Sequence, residues 1–324
     1  MFKNKSIKVT VVGCGRWGSL IAWYLDSPGH SVTLYGRENS SNMRRFIEER
    51  RNDLLTLRDE VKLSTSLDSL LDADVIIISI ASQGLRAFME EIKPLGIKDK
   101  IFVLCMKGIE IGTHKRLSEV ARENTDPSNK VAVWIGPGHV QEFYAGIPNC
   151  MVIDSDEDET KRLLVDAFSG ELIRFYYGTD LIGNEIGAAS KNVVGIAAGI
   201  LDGLNLGTLK GALMSRGTRE IARLISAMGG NELSAYGLCH LGDYEATVFS
   251  KYSHNRMFGE MLVRGESCEF LAEGYYTVKA MMELSKEYGV ELPICEAVYK
   301  ILYCSAEAKT TLDGLFKRKL KDEI

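Results

Sequence analysis

The sequence is poor in the residues and runs that mark several protein classes. Its 324 residues include 5 histidines and 7 cysteines, with no CxxC pair and no clustering of the two types. That spacing argues against a disulfide framework and against a structural zinc site. No apolar run approaches the length of a membrane span; the longest near the middle of the first half, Val75 to Ile78, ends at Ser79. Membrane insertion is therefore not expected. The opening MFKNKSIKVTVVG passes from a few lysines straight into strand-like alternation, without an apolar signal core or small-residue cleavage site. This reads as a cytoplasmic protein. A formal net charge of −5 gives no general attraction to nucleic acid, so an anionic ligand must be held by local positive groups. There is no internal repeat and no low-complexity segment.

Hydrophobic residues make up 45% and charged residues 26%, enough to bury a sizeable core. The length suits two domains. Strand signals recur at Ile7 to Val12, Ser31 to Tyr35, Val61 to Leu63, Val75 to Ile78, Ile101 to Leu104, Val131 to Ile135, Cys150 to Ile153 and Leu172 to Tyr176. Helix-length segments separate most of them, among them a charged helix face over Asn42 to Asn52. The alternation predicts an α/β, doubly wound, Rossmann-like sheet with its ligand crevice at the carboxyl ends of the strands. After Gly178 strand signals stop and successive helices follow. The expected division is a dinucleotide-binding domain over 1–178 and an all-α substrate-binding and catalytic domain over 179–324, with the cleft between them as the default active site.

The first strand ends in Gly13-Cys14-Gly15-Arg16-Trp17-Gly18 and leads into a helix. In a dinucleotide fingerprint Gly13 permits the tight turn, Gly15 clears the approach of the pyrophosphate, and Gly18 lets helix and strand pack closely. The helix N-terminus then offers its free N–H groups to phosphate. At the end of the second strand, Arg37 suits the extra phosphate of NADP, whereas Glu38 suits the ribose hydroxyls of NAD. NADP is the favoured cofactor and NAD the alternative. Lys107, directly after an apolar strand, points toward that crevice or is an ordinary loop lysine.

In the second half the distinctive stretch is Gly183 to Gly207, whose apolar positions describe one buried face of a helix. Lys191 and Asn192 sit in its middle among glycines and alanines, a composition that costs helix propensity. Either the lysine snorkels to solvent from a tightly packed helix, or the helix is shaped for a ligand. Asp243 and Thr247 lie in a loop between helices, and Ser253-His254-Asn255-Arg256 gathers donors and cations at a helix start suited to an anion. Plain structural roles remain for these too: a loop carboxylate, an N-cap at Ser253, a surface charge at Arg256. The histidines lack metal-ligand spacing, and no metal is assigned.

Taken in order, Gly13-x-Gly15-x-x-Gly18, Met106-Lys107-Gly108, Gly136-Pro137, Gly187-Ala188-Ala189-Ser190-Lys191-Asn192-Val193, Ser215-Arg216-Gly217, Leu241-Gly242-Asp243, Asn255-Arg256 and Glu273-Gly274-Tyr275 resemble the NAD(P)-dependent glycerol-3-phosphate dehydrogenase family over nearly the whole chain. The resemblance implies reduction of dihydroxyacetone phosphate to sn-glycerol 3-phosphate, reversible in principle, as a supply of phospholipid backbone. It implies Lys191 as general acid and base, Lys107 as a contact to substrate and cofactor, and Asn192, Asp243 and Thr247 as orienting groups. Ser253 and Asn255 correspond to groups at the substrate's phosphate end, and Gly136 and Gly138 to substrate contacts. Arg16, Trp17, Val140, Leu271 and Glu273 correspond to positions at the cofactor, and His254 to one at both ligands. A lysine in a small-residue, partly desolvated cleft is expected to have a lowered pKa.

Three departures from the family stand out. Gly138-His139 replaces the usual hydroxyl residue and aromatic, His254 replaces the first arginine of Arg-Asn-Arg, and the segment between Gly265 and Glu273 is shorter than usual. Two alternatives therefore stay open: a related NADP-dependent dehydrogenase of another small hydroxy or keto compound, and an inactive dinucleotide-binding paralogue. Retention of Lys191, Asn192, Asp243 and Thr247 speaks against decay. The partner implied is a small phosphorylated molecule, and a homodimer is compatible with the sequence.

Overall fold

A computed structural model describes residues 6–320; the lysine-bearing start, MFKNK, lies outside the described residues. The chain divides into two compact units. One holds the residues up to Lys107 together with Lys115–Glu185, and the other holds Gly108–His114 and the residues from Ile186 onward.

The first unit is built on an eight-stranded sheet of β1 (Lys8–Val12), β2 (Ser31–Tyr35), β3 (Lys62–Ser64), β4 (Val75–Ile78), β5 (Ile101–Leu104), β6 (Lys130–Ile135), β7 (Asn149–Asp154) and β8 (Ile173–Tyr177). The spatial order is β3-β2-β1-β4-β5-β6-β7-β8. Every neighbouring pair is parallel except β6 and β7, which run antiparallel with Trp134 opposite Ile153. Helices α1 (Arg16–Asp26), α2 (Ser41–Glu49), α3 (Leu85–Ile92), α4 (Leu117–Glu123), α5 (Val140–Tyr144) and α6 (Asp158–Phe168) accompany it. Because helices cover both faces of such a sheet, its central strand needs no polar alternation: all four residues of β4 are buried. The helix expected over Asn42 to Asn52 is shorter, and its charged surface is backed by Met43 and Phe46, both fully buried.

In the second unit, α7 (Leu181–Gly203), which starts in the first unit, is followed by α8 (Lys210–Ala227), α9 (His254–Arg264), α10 (Glu273–Glu287), α11 (Pro293–Tyr303) and α12 (Ala308–Phe316). Among the described residues no strand follows Tyr177. The helix expected over Glu232 to Cys239 is a short 3-10 turn, Glu232–Tyr236, capped by Asn231.

The central helix has more than the single buried face expected of it: every residue of α7 from Glu185 to Leu201 is buried. Its small residues explain why. A Cβ on Gly199 would lie 1.9 Å from the carbonyl oxygen of Arg256, and one on Gly259 of α9 would lie 2.1 Å from that of Ile196. The two helices thus meet backbone to backbone, and the contact offsets the helix-propensity cost of the glycines.

Two carboxylates pin helix starts. In the first unit, buried Glu185 accepts from the Ser118 N–H at 2.9 Å and from Arg116 at 2.8 Å, holding the start of α4. In the second, Glu220 of α8 accepts from the N–H groups of Ile294 and Cys295, 2.8 and 3.0 Å away, just after Pro293 opens α11. Burial pushes the Glu220 carboxyl up to about 7, against the pull of those two bonds. The segment Gly108–His114 joins this unit through α10. The Gly112 N–H donates to Glu283 at 3.3 Å, and His114 Nδ1 meets Glu287 at 2.9 Å.

Candidate active site

In the first unit the glycine turn lies where the sheet order reverses, between β1 and β4, the switch point at which open α/β sheets hold ligands. Gly13 has φ +105°, and a Cβ there would sit 2.2 Å from the Ser79 carbonyl oxygen at the end of β4. A Cβ on Gly18 would meet the Gly13 oxygen at 1.9 Å, whereas nothing lies within 4 Å of one on Gly15. The turn is therefore closed on its protein side and clear at Gly15, the N-cap of α1, where no side chain caps the helix. That cradle fits a pyrophosphate.

Around it, Arg16 opens α1 with its guanidinium half-buried and its pKa lowered by that burial. Trp17 packs with its ring 6.0 Å from that of Phe143. Arg37 and Glu38 are both exposed after β2, and Arg37 pairs with Glu91 of α3 at 2.6 Å. Lys107 follows β5 and donates from Nζ to the Gly136 carbonyl at 2.7 Å, at the end of neighbouring β6. Gly138 has φ +144°, and a Cβ there would fall 2.2 Å from the Phe143 ring. The missing side chain at 138 thus has a steric cause. Val140, the first residue of α5, is buried in the core.

In the second unit, Lys191 does not snorkel: the residue is only 8% exposed. Its Nζ lies 2.9 Å from Asp243 Oδ2 and donates to Thr247 Oγ1 at 2.7 Å. Asp243 is fully buried in a 3-10 turn, Leu241–Asp243, and Thr247 sits in a π-type turn, Glu245–Phe249. Asn192 Oδ1 accepts from Asn255 Nδ2 at 3.1 Å, and Asn255 Oδ1 accepts from the Gly274 N–H at 2.9 Å, so one amide ties α7, α9 and the start of α10. Glu273 is the first residue of α10, and Leu271 is exposed just before it. Ser253 is the N-cap of α9, accepting from the Arg256 N–H, with His254 following, its ring centre 4.5 Å from that of Phe270 and tilted 37° to it.

Arg256 is not a surface charge. Its guanidinium reaches Asp202 at 2.7 Å and Glu260 at 2.8 Å and donates to the Ser250 carbonyl at 3.1 Å, while Lys210 binds the same Asp202 and the Val248 carbonyl. These two cations hold the end of the turn that bears Thr247. Neither Lys210 nor Asp202 carries a signal in the sequence, since each looks like an ordinary helix-end charge. The same is true of His240, fully buried against Tyr244. Among the described residues no three His, Cys, Asp or Glu side chains converge to hold a metal ion.

A phosphate cradle at the switch point of a parallel sheet, and a buried lysine held by a carboxylate and a hydroxyl, are the working parts of a nicotinamide-dependent dehydrogenase. Comparison with known proteins narrows the class. Residues 8–161 match the N-terminal, and residues 180–313 the C-terminal, region of NAD-dependent glycerol-3-phosphate dehydrogenase. The chain is 34% identical to a glycerol-3-phosphate dehydrogenase [NAD(P)+] of Prosthecochloris aestuarii, covering 98% of this chain and 99% of that one. It is 36% identical to one of Geobacillus kaustophilus, covering 98% and 96%. The crystal structure of glycerol-3-phosphate dehydrogenase from Coxiella burnetii superposes with a TM-score of 0.90 at 28% identity, over 97% of this chain and 99% of that one. The chain belongs to the NAD-dependent glycerol-3-phosphate dehydrogenase family.

Proposed function

We propose that the protein reduces dihydroxyacetone phosphate to sn-glycerol 3-phosphate, reversibly, as a source of phospholipid backbone. The observation that carries this reading is Lys191: buried in mid-helix, with Nζ held between Asp243 and Thr247. An ammonium so placed can give one proton to a carbonyl oxygen and recover it in the reverse direction. NADPH or NADH, when bound, supplies the hydride. Asp243 opposes the ammonium charge, and Thr247 fixes the direction of Nζ.

In this reading 1–178 binds the dinucleotide and 179–324 the substrate. Gly13, Gly15, Arg16, Trp17 and Gly18 hold the cofactor's phosphates and nearby groups, with Arg37, Val140, Leu271 and Glu273 as further cofactor contacts. Lys107, Gly136 and Gly138 are further substrate contacts in this reading. Ser253, His254 and Asn255 meet its phosphate, where the α9 N-terminus favours an anion. NADPH is the preferred donor if Arg37 exchanges Glu91 for the 2′-phosphate. Seven free thiols support a cytoplasmic setting.

The test is oxidation of NADPH, and in parallel NADH, by the purified protein with dihydroxyacetone phosphate and with unphosphorylated dihydroxyacetone. Saturable turnover of the phosphorylated ketone is expected. Tight NADPH binding with no turnover of that ketone by either cofactor would overturn the reading.

A further inference from the structure

His240 is the one histidine with no exposed surface, and it sits three residues before Asp243. Its Nδ1 lies 2.9 Å from the Gly187 carbonyl oxygen, so that nitrogen carries the proton and donates. Its Nε2 then accepts from the Tyr244 hydroxyl at 2.7 Å. Gly187 is four residues before Lys191, and its carbonyl is the one that the Lys191 amide addresses in an α-helix. Glycine eases the approach there: an added Cβ would lie 3.0 Å from His240 Cβ, closer than ordinary van der Waals contact. On the other side, the His240 carbonyl accepts from the Asp243 N–H at 3.0 Å. One residue thus grips the backbone that carries Lys191 and the backbone that carries Asp243.

We propose that His240, completed by Tyr244, is a positioning residue that fixes the separation of Lys191 from Asp243 and Thr247. The proposal rests on the reading of Lys191 as the acid–base group. Two facts favour this over a filler role. An apolar residue would fill the same volume without crossing from α7 to the Asp243 turn. Moreover, the ring faces two charged groups, Asp243 and Lys191, and burial outweighs the carboxylate's influence, holding the imidazole down at about 4. At neutral pH the ring is therefore uncharged, with one donor and one acceptor, and both are used. Ser190, beside Lys191, also approaches Nδ1 at 3.4 Å while donating to the Ile186 carbonyl at 2.7 Å.

The test compares His240→Leu, His240→Asn and Tyr244→Phe with the unaltered protein. Two readouts are needed: kcat and KM for dihydroxyacetone phosphate, and the rate at which acetic anhydride acetylates Lys191, followed by mass spectrometry without turnover. His240→Leu is expected to lower kcat on the order of ten- to a hundredfold, leaving KM within about twofold. It should also change the Lys191 acetylation rate by about threefold or more. His240→Asn, which keeps a donor for the Gly187 carbonyl, should recover most of both, and Tyr244→Phe should fall between. Equal loss of kcat in His240→Leu and His240→Asn, or unchanged Lys191 acetylation in folded His240→Leu, would overturn the proposal. If His240→Leu does not fold, unchanged acetylation in Tyr244→Phe has the same force. An unaltered protein that fails to reduce the ketone refutes the acid–base reading, while acetylation still decides whether His240 sets the lysine's surroundings.

Discussion

The glycine turn after β1 and the middle of α7 solve opposite problems. The turn works by leaving things out: no side chain at Gly15, no capping group on α1, and carbonyls packed where Cβ atoms would be. The lysine helix works by putting charge in, with Lys191, Asp243 and the Asp202–Lys210–Arg256 cluster all removed from most of the water. Backbone N–H groups need no partner to hold them in place, whereas a buried ammonium needs every neighbour fixed. Changes at the turn should therefore act mainly on cofactor affinity, and changes around α7 on rate and on stability.

The largest effect should come from Lys191→Ala. A fall in kcat of about a thousandfold is expected from loss of the proton donor, with NADPH affinity held. Steady-state kinetics beside fluorescence titration of NADPH would check it, and a parallel loss of affinity would blur the contrast between the two regions.

Next is the pH dependence of stability set by buried groups of the helical unit. Glu220 binds its proton more tightly folded than unfolded, so its contribution is full below pH 4.5 and is lost as pH rises toward about 7. His240 behaves oppositely: its contribution is full above pH 6.5 and is lost as pH falls toward about 4. Where the windows overlap, the two slopes cancel. Glu220→Gln should remove one of them, so its unfolding free energy relative to the unaltered protein should climb by about 3 kcal/mol between pH 4.5 and 7. Urea titrations at several pH values would measure the climb, and a flat difference would show that Glu220 titrates alike in the folded and unfolded protein.

At the turn, Gly18→Ala forces a Cβ against the Gly13 carbonyl and should cost about 1–3 kcal/mol of stability. NADPH affinity should drop by about tenfold as the cradle opens. The smallest effect belongs to the exposed pair beyond β2. Arg37→Ala should weaken NADPH by about two- to fivefold and leave NADH nearly unchanged, since one exposed charge contact is worth about 1 kcal/mol or less. Glu91→Gln should improve NADPH by no more than about threefold, by releasing Arg37. Competitive binding of the two cofactors would separate these cases.

Much of the sheet was legible because central parallel strands buried on both faces read as continuous apolar runs, as in β4 and β5, while edge strands such as β3 and β8 carry exposed residues and read less clearly. The glycine turn was legible for a similar reason, since its spacing is the chemistry. The antiparallel turn of β6 to β7 was not, because local sequence does not encode which neighbour a strand meets. Nor was the all-round burial of α7, where alanine and glycine look the same on a packed face and on an open one. Lys191 and Asp243 could be named by resemblance. What holds them could not: His240 is a lone histidine in the sequence, and Arg256 and Lys210 acquire meaning only through Asp202.

Gly108–His114 lies between two elements of the sheet unit yet docks on α10, so neither compact unit is one uninterrupted length of chain. During synthesis these seven residues are made roughly 160 residues before the helix they bind, a delay of about 10–30 s at ordinary elongation rates. The sheet can close in that interval, but this loop has nowhere to dock. The helical unit therefore finishes folding last, and only by recruiting a piece of chain already woven into its neighbour's sequence.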